Sequence, residues 1–130
     1  MKQLRLLTLF SIVCLLGLLT CGSATATDIP LVINNGNITI IAIDATTIQV
    51  AQESGSSNPY EIADTVIVIS QTGSATALTD RIIRVNGGNI VTTNPIQIQI
   101  QNLNLSPAET SPFALTNKAN VKLIDRKSVV

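Results

Sequence analysis

The chain has 130 residues, with eight basic and eight acidic side chains, no His and no Trp. Without His there is no Ser/His/Asp or Cys/His catalytic machinery, no zinc-finger ligand set and no imidazole proton shuttle. A formal charge of zero with only three aromatic residues leaves neither a phosphate-neutralising patch nor a base-stacking platform, so nucleic acid is not an expected partner.

In chain order, Lys2 and Arg5 precede a largely apolar run from Leu6 to Leu19, and small residues follow up to Ala24-Thr25-Ala26. This is the pattern of an export signal over residues 1–26. The run is shorter than the roughly 20 residues a spanning helix needs, so the expected contact with a membrane is the transient one of a signal segment. Leu18-Leu19-Thr20-Cys21 resembles a bacterial lipobox, with Thr20 where Gly, Ala or Ser is required. Release after Ala26 is the preferred reading and lipid attachment at Cys21 the alternative, giving a secreted or cell-surface location. Cys14 and Cys21 both fall in this segment, so the mature chain is expected to rely on packing without a disulfide.

From Thr27 onward Ile, Val, Thr, Asn and Gln dominate, and apolar residues recur at period two. The strongest case is Ile96 to Leu105, where apolar and amide residues alternate throughout and predict one strand with an oily face and a polar face. Shorter β-branched runs predict strands at Ile38–Ile43, Thr47–Val50, Thr65–Ile69, Arg81–Val85 and Asn120–Leu123. Turn residues separate them at Asn34–Asn37, Gly55–Pro59, Gly73-Ser74, Asn86–Asn89, Asn94-Pro95 and Ser106-Pro107. The chain is predicted to be all-β.

Two internal echoes pair Ile33–Ile38 with Val85–Ile90 and Ala77–Arg81 with Ala114–Lys118, and Ile98 and Val121 lie 23 residues apart. Both a solenoid of stacked coils and an antiparallel β-sandwich fit such a pattern. Residues 125–130, Asp125-Arg126-Lys127-Ser128-Val129-Val130, resemble the translated end of a sequencing-library adaptor and are expected to be a non-native tail on a gene truncated near Ile124. Residues 27–124 then carry seven acidic and four basic side chains.

Taken in order, Ile33–Ile40, Tyr60-Glu61-Ile62 with Val66–Gly73, Arg81–Val85, Ile96–Leu105, and Ser111–Leu115 with Ala119–Leu123 resemble the opening strands of a family of bacterial secreted and surface proteins. The family is described as carbohydrate-binding-domain-containing. The resemblance implies the first coils of a right-handed parallel β-helix akin to pectate lyases, with longer downstream coils missing. In such a stack Ile38, Ile83, Ile98, Leu103 and Val121 would form one apolar column, and Asn89 and Asn102 would join amide ladders at the corners.

No catalytic constellation is expected. Glu61 and Asp64 are the nearest carboxylate pair, but their odd spacing sends them to opposite faces of a strand, as it does Arg81 and Arg84. No cofactor or metal site is expected either. Asn37-Ile38-Thr39 and Asn104-Leu105-Ser106 fit the glycosylation sequon, which has meaning only in a eukaryotic secretory route. Tyr60, beside Asn58 and Pro59, is the candidate ligand contact, a ring able to stack on a sugar, with a local packing anchor as the alternative. The expected function is that of an exported, non-enzymatic β-solenoid surface protein that binds polysaccharide or a cell-surface glycan, or acts in adhesion. The alternative is the first part of a calcium-dependent polysaccharide lyase whose active site lies beyond Ile124.

Overall fold

The computed structural model describes residues 26–53, 55–73 and 76–126; residues 1–25 of the expected export signal and tail residues 127–130 lie outside them. The described chain is all-β. Its strands are β1 (Thr27–Val32), β2 (Ile38–Ala42), β3 (Thr47–Gln52), β4 (Asn58–Glu61), β5 (Thr65–Ser70), β6 (Ile83–Asn86), β7 (Ile96–Gln101), β8 (Phe113–Thr116) and β9 (Val121–Arg126). Single 3-10 turns, η1 (Ile33–Asn35) and η2 (Ile62–Asp64), lead into β2 and β5.

The strands form two sheets. Sheet A has the order β1-β5-β7-β9 and is parallel throughout. Sheet B has the order β4-β3-β2-β6-β8, in which β2, β6 and β8 are mutually parallel while β2–β3 and β3–β4 are antiparallel. A parallel bridge between Leu78 and Leu105 lies outside both. It is tied by Leu78 N–H to the Asn104 carbonyl at 2.9 Å and by Ser106 N–H to the Leu78 carbonyl at 2.9 Å.

Alternation sets the faces. Along β5 and β7 every second residue is buried, which puts Ile67, Ile69, Ile96, Ile98 and Ile100 in the core. Sheet B turns Ile38, Ile40, Ile48, Val50, Ile83 and Val85 to the same side, and the two sets pack as one cluster. Parallel register stacks like on like: Ile29, Ile67, Ile98 and Leu123 are successive partners in sheet A, and Ile38, Ile83 and Phe113 in sheet B. Each fully buried Ile contributes about 1.5–3 kcal/mol of apolar transfer. Isoleucine suits the position twice over, because its β-branch also limits rotamers in a pleated strand.

Every run read as a strand from alternation contains one, but several finer expectations change. The expected single column of Ile38, Ile83, Ile98, Leu103 and Val121 is two columns on two sheets, and Val121 pairs with Ile96 rather than Ile98. The long run from Ile96 stops pairing at Gln101, because Asn102 takes a positive φ of 53° and turns the chain. Leu103 and Leu105 remain buried beyond it. Asn58 and Pro59, expected in a turn, form β4, an edge strand where a residue without an N–H is tolerated. The same tolerance admits Pro30 on the other edge, β1, which alternation did not reveal. Neither internal echo marks equivalent places: the Ile33–Ile38 stretch leads into β2, whereas the Val85–Ile90 stretch leads out of β6. Pairing of β9 continues through Asp125 and Arg126, opposite Ile100 and Gln101, so the first two residues of the suspected tail lie in a strand.

The β2–β3–β4 meander departs from a purely parallel stack. Its first turn is built by Asp44, whose Oδ1 accepts the N–H groups of Thr46 and Thr47 at 2.8 Å each, and closed by Ile43 N–H on the Thr47 carbonyl at 3.0 Å. This short carboxylate turn reverses the chain without the Asn-Gly pair usually sought as a hairpin signal.

Truncating the central column should be costly: Ile98→Ala is expected to lose about 2–5 kcal/mol in urea unfolding, whereas Gln99→Ala, one residue along on the outer face, should stay within about 0.5 kcal/mol. Equal losses at the two positions would contradict the facing assigned here.

Candidate functional site

Two groups of polar side chains stand out, one tying turns together and one covering sheet A. The first consists of amides. Asn34 donates Nδ2–H to the Thr72 carbonyl at 3.0 Å and accepts the Thr72 N–H on Oδ1 at 2.9 Å, a two-point clamp between η1 and the end of β5. Asn37 accepts the Ile82 N–H at 2.9 Å while its own N–H donates to Glu53 Oε2 at 3.0 Å. Gln52 Nε2 donates to the Val32 carbonyl at 2.7 Å and the Gly36 carbonyl at 3.2 Å. Gln71, only 7% exposed, donates Nε2–H to the Thr76 carbonyl at 2.9 Å and accepts the Asn104 N–H at 2.7 Å. Turns leave backbone groups that no ladder satisfies, and an amide supplies both a donor and an acceptor to meet them.

Corner amides do meet across turns, though not the pair expected. Asn117 Nδ2 donates to Asn86 Oδ1 at 2.9 Å, and Asn89 N–H donates to the Asn117 carbonyl at 3.0 Å. Asn89, Asn102 and Asn117 adopt φ of 58°, 53° and 52°, the left-handed region that Asn tolerates better than most residues. Gly87 allows the contact, since a Cβ there would collide with the Asn117 carbonyl and with Ala119.

The second group is the outer face of sheet A. Gln97, Gln99 and Gln101 point away from the core along β7, each half-buried between neighbours. In register beside them stand Val66, Val68 and Ser70 of β5, and Lys122, Ile124 and Arg126 of β9. Adjacent strands lie about 4.8 Å apart and alternate residues about 6.6 Å apart, so the three glutamines form a regular row of donors and acceptors between the aliphatic Val66 and Val68 on one side and the mixed Lys122, Ile124 and Arg126 on the other.

The residues singled out from sequence are not brought together. Tyr60 lies on the inward side of β4, opposite Ile48, half-buried and packed against the core cluster. Glu61 and Asp64 are both exposed, Glu61 at the end of β4 and Asp64 in η2 rather than on one extended strand. Arg81 pairs with Asp80 at 2.7 Å and donates to the Asn34 carbonyl at 3.4 Å, and its buried Nε has no partner among the described residues. Arg84 stands exposed on β6. The side-chain carbonyl oxygen of Asn37, first residue of one sequon, accepts the Ile82 N–H. Shallow open depressions occur among the described residues. One, of about 680 Å³, is lined by Gln101, Asn102, Asp125 and Arg126. Another, of about 300 Å³, lies where Asn37, Asp80 and Ile82 face Pro107 and Glu109. Among the described residues no group of three or more His, Cys, Asp or Glu could hold a metal, and no helix is long and apolar enough to cross a membrane.

Comparison with protein-family models, curated proteins and solved structures returned no match.

Two outcomes follow from the polar contacts. Gln71→Ala should cost about 1–3 kcal/mol, because it removes a buried side chain's acceptor from the half-buried Asn104 N–H; a loss near zero in urea unfolding would contradict that role. The hydrogen bonds to Asp44, that of the Thr46 N–H foremost, hold its carboxyl below the ordinary value of 3.8. A carboxyl lowered in the folded state stabilises above its unfolded pKa, and that contribution is lost as pH falls through the lower folded one. The stability gap between the protein and Asp44→Ala should therefore be full at neutral pH and narrow as pH is taken below about 3.8. A gap that widens in acid would show the opposite linkage.

Proposed function

We propose that the protein is an exported β-solenoid surface protein, built like the opening coils of a parallel β-helix, whose sheet A face contacts polysaccharide. Several features support the solenoid. In sheet A the chain returns to a parallel neighbouring position after 38, 31 and 25 residues, from Thr27 to Thr65, Val66 to Gln97 and Ile96 to Val121. Between these returns it crosses to sheet B, where β2, β6 and β8 also stack in chain order. The Leu78–Leu105 bridge adds a third line of parallel contact. The meander β3–β4 is then an insertion at the first coil.

The observation that carries the binding reading is the row of Gln97, Gln99 and Gln101 on the outer face, flanked by Val66 and Val68. Sugar hydroxyls exchange hydrogen bonds with amides, and the less polar face of a pyranose packs on aliphatic surface. A fixed sheet presents several such contacts without ordering a loop, and many weak contacts along an extended glycan add up. Tyr60 would serve this reading only through its edge, because its ring faces the core. Export, suggested by residues 1–26, would deliver such a face to extracellular glycans.

A glycan array with the purified chain should show binding to one or more extended polysaccharides. Gln97→Ala combined with Gln101→Ala should reduce that signal at least tenfold, about 1.4 kcal/mol, while leaving the unfolding midpoint unchanged. Silence across acidic and neutral glycans would remove the binding claim.

A further inference from the structure

The sequence contains two Asn-Gly steps, Asn35-Gly36 and Asn86-Gly87. This dipeptide is chemically labile, because glycine has no side chain to shield its backbone nitrogen from the amide carbon of the preceding asparagine. The fold holds the two steps in opposite ways.

Asn86 is fixed. Its Oδ1 accepts the Gly88 N–H at 2.8 Å and Asn117 Nδ2–H at 2.9 Å, which sets the side chain in one orientation. The nitrogen that would attack it is held from across the sheet, since Gly87 N–H donates to the Thr116 carbonyl at 3.0 Å. Gly87 is also wedged against backbone, where a Cβ would collide with the Asn117 carbonyl and with Ala119. Releasing this step means parting the end of β6 from the end of β8.

Asn35, by contrast, is exposed, and its side chain makes no hydrogen bond among the described residues. Gly36 is buried, as Gly87 is, but its N–H closes one local turn, donating to the Ile33 carbonyl at 3.1 Å. Its covering is a side chain: the atoms nearest to a Cβ built there belong to that of exposed Glu53. The Gly36 carbonyl accepts Gln52 Nε2–H at 3.2 Å, a bond that does not involve the nitrogen. Opening a single 3-10 turn requires far less free energy than parting two paired strands.

We infer that Asn35 is a site of spontaneous modification, converted through a cyclic imide to aspartate and isoaspartate, and that the fold protects Asn86 from the same reaction. The Gly36 nitrogen attacks Asn35 Cγ. The N–Cγ bond forms, the Cγ–Nδ2 bond breaks, and ammonia leaves with the proton of the Gly36 N–H. Water, the only co-reactant, then opens the imide. Opening at Cγ restores the main chain and leaves a carboxylate at position 35, whereas opening at the main-chain carbonyl routes the chain through Cβ and lengthens it by one carbon. Either product disturbs the turn. The new carboxylate adds like charge near Glu53, whose side chain lies against Gly36 and accepts the Asn37 N–H at 3.0 Å. The lengthened chain pulls on anchors at both sides, Asn34 on Thr72 and Asn37 on Ile82. The modified turn therefore ties the β1–β2 connection less firmly to its neighbours.

Peptide mapping by tandem mass spectrometry tests this on the parent chain. The protein is incubated in mildly alkaline buffer, folded in one series and unfolded in urea in another, and conversion at each asparagine is followed with time. In urea the two Asn-Gly steps should react at similar rates. In the folded protein Asn35 should convert at least about tenfold faster than Asn86, giving both aspartate and isoaspartate. Equal rates at the two steps in the folded protein, faster conversion at Asn86, or a folded chain that converts neither while the unfolded one converts both would each overturn the inference. The aged parent should then unfold at a lower urea concentration than Asn35→Gln aged beside it, relative to fresh samples of each, because the longer glutamine side chain cyclises far more slowly. Equal shifts in midpoint would overturn the loosening of the turn.

Discussion

The structure depends on keeping one register between parallel strands, so that β-branched side chains stack on their like. Ile67 sits beside Ile98, and Ile38 beside Ile83, with none of the four measurably exposed. A slip by one residue would exchange Ile98 for Gln97 or Gln99 at the core and bury an amide without a partner. The same strict alternation that fills the core therefore forbids every neighbouring register. Parallel pairing requires long connections, and those connections must pass through turns whose backbone groups lack ladder partners. Asn34, Asn37, Gln52 and Gln71 meet that need. Amide-rich composition is thus a structural requirement at the turns and a surface property on β7.

This division of labour separates scaffold from surface. Turn amides are occupied by backbone partners, whereas Gln97, Gln99 and Gln101 face outward in a row that the fold positions in register with its neighbours. The edge strands differ too: β1 and β4 carry Pro30 and Pro59, while β8 and β9 contain no proline.

Much of the fold was legible in the amino-acid order because period-two alternation reports facing directly, and β5 and β7 are the clearest cases. The edge strands β1 and β4 were not. β1 and β4 contain proline and have little burial to impose a pattern, so alternation carries no information there. The β2–β3 reversal was hidden because Asp44, with Thr46 and Thr47, builds a turn from side-chain acceptance rather than from glycine. Pairing partners were also beyond reach. Asn117 meets Asn86 across 31 residues, a relation that local sequence does not encode. The outer row of glutamines was visible as a polar strand face, but its place beside Val66 and Val68 needed the register. Tyr60 looked like a loop aromatic because Pro59 precedes it, and strand pairing with Ile48 turns its ring inward.

Cross-linking measures the register most directly. Val68 and Gln99 are partners on the outer face of sheet A, so cysteines there would have Cα atoms about 4.8 Å apart, within disulfide range. Val68 and Gln97 would be roughly 8 Å apart on the same face, beyond that range. Under mild oxidation the Val68→Cys, Gln99→Cys pair should form an intramolecular disulfide in the folded protein, and the Val68→Cys, Gln97→Cys pair should remain reduced. Preferential bridging of the second pair, or bridging of neither, would contradict the parallel register on which the account rests.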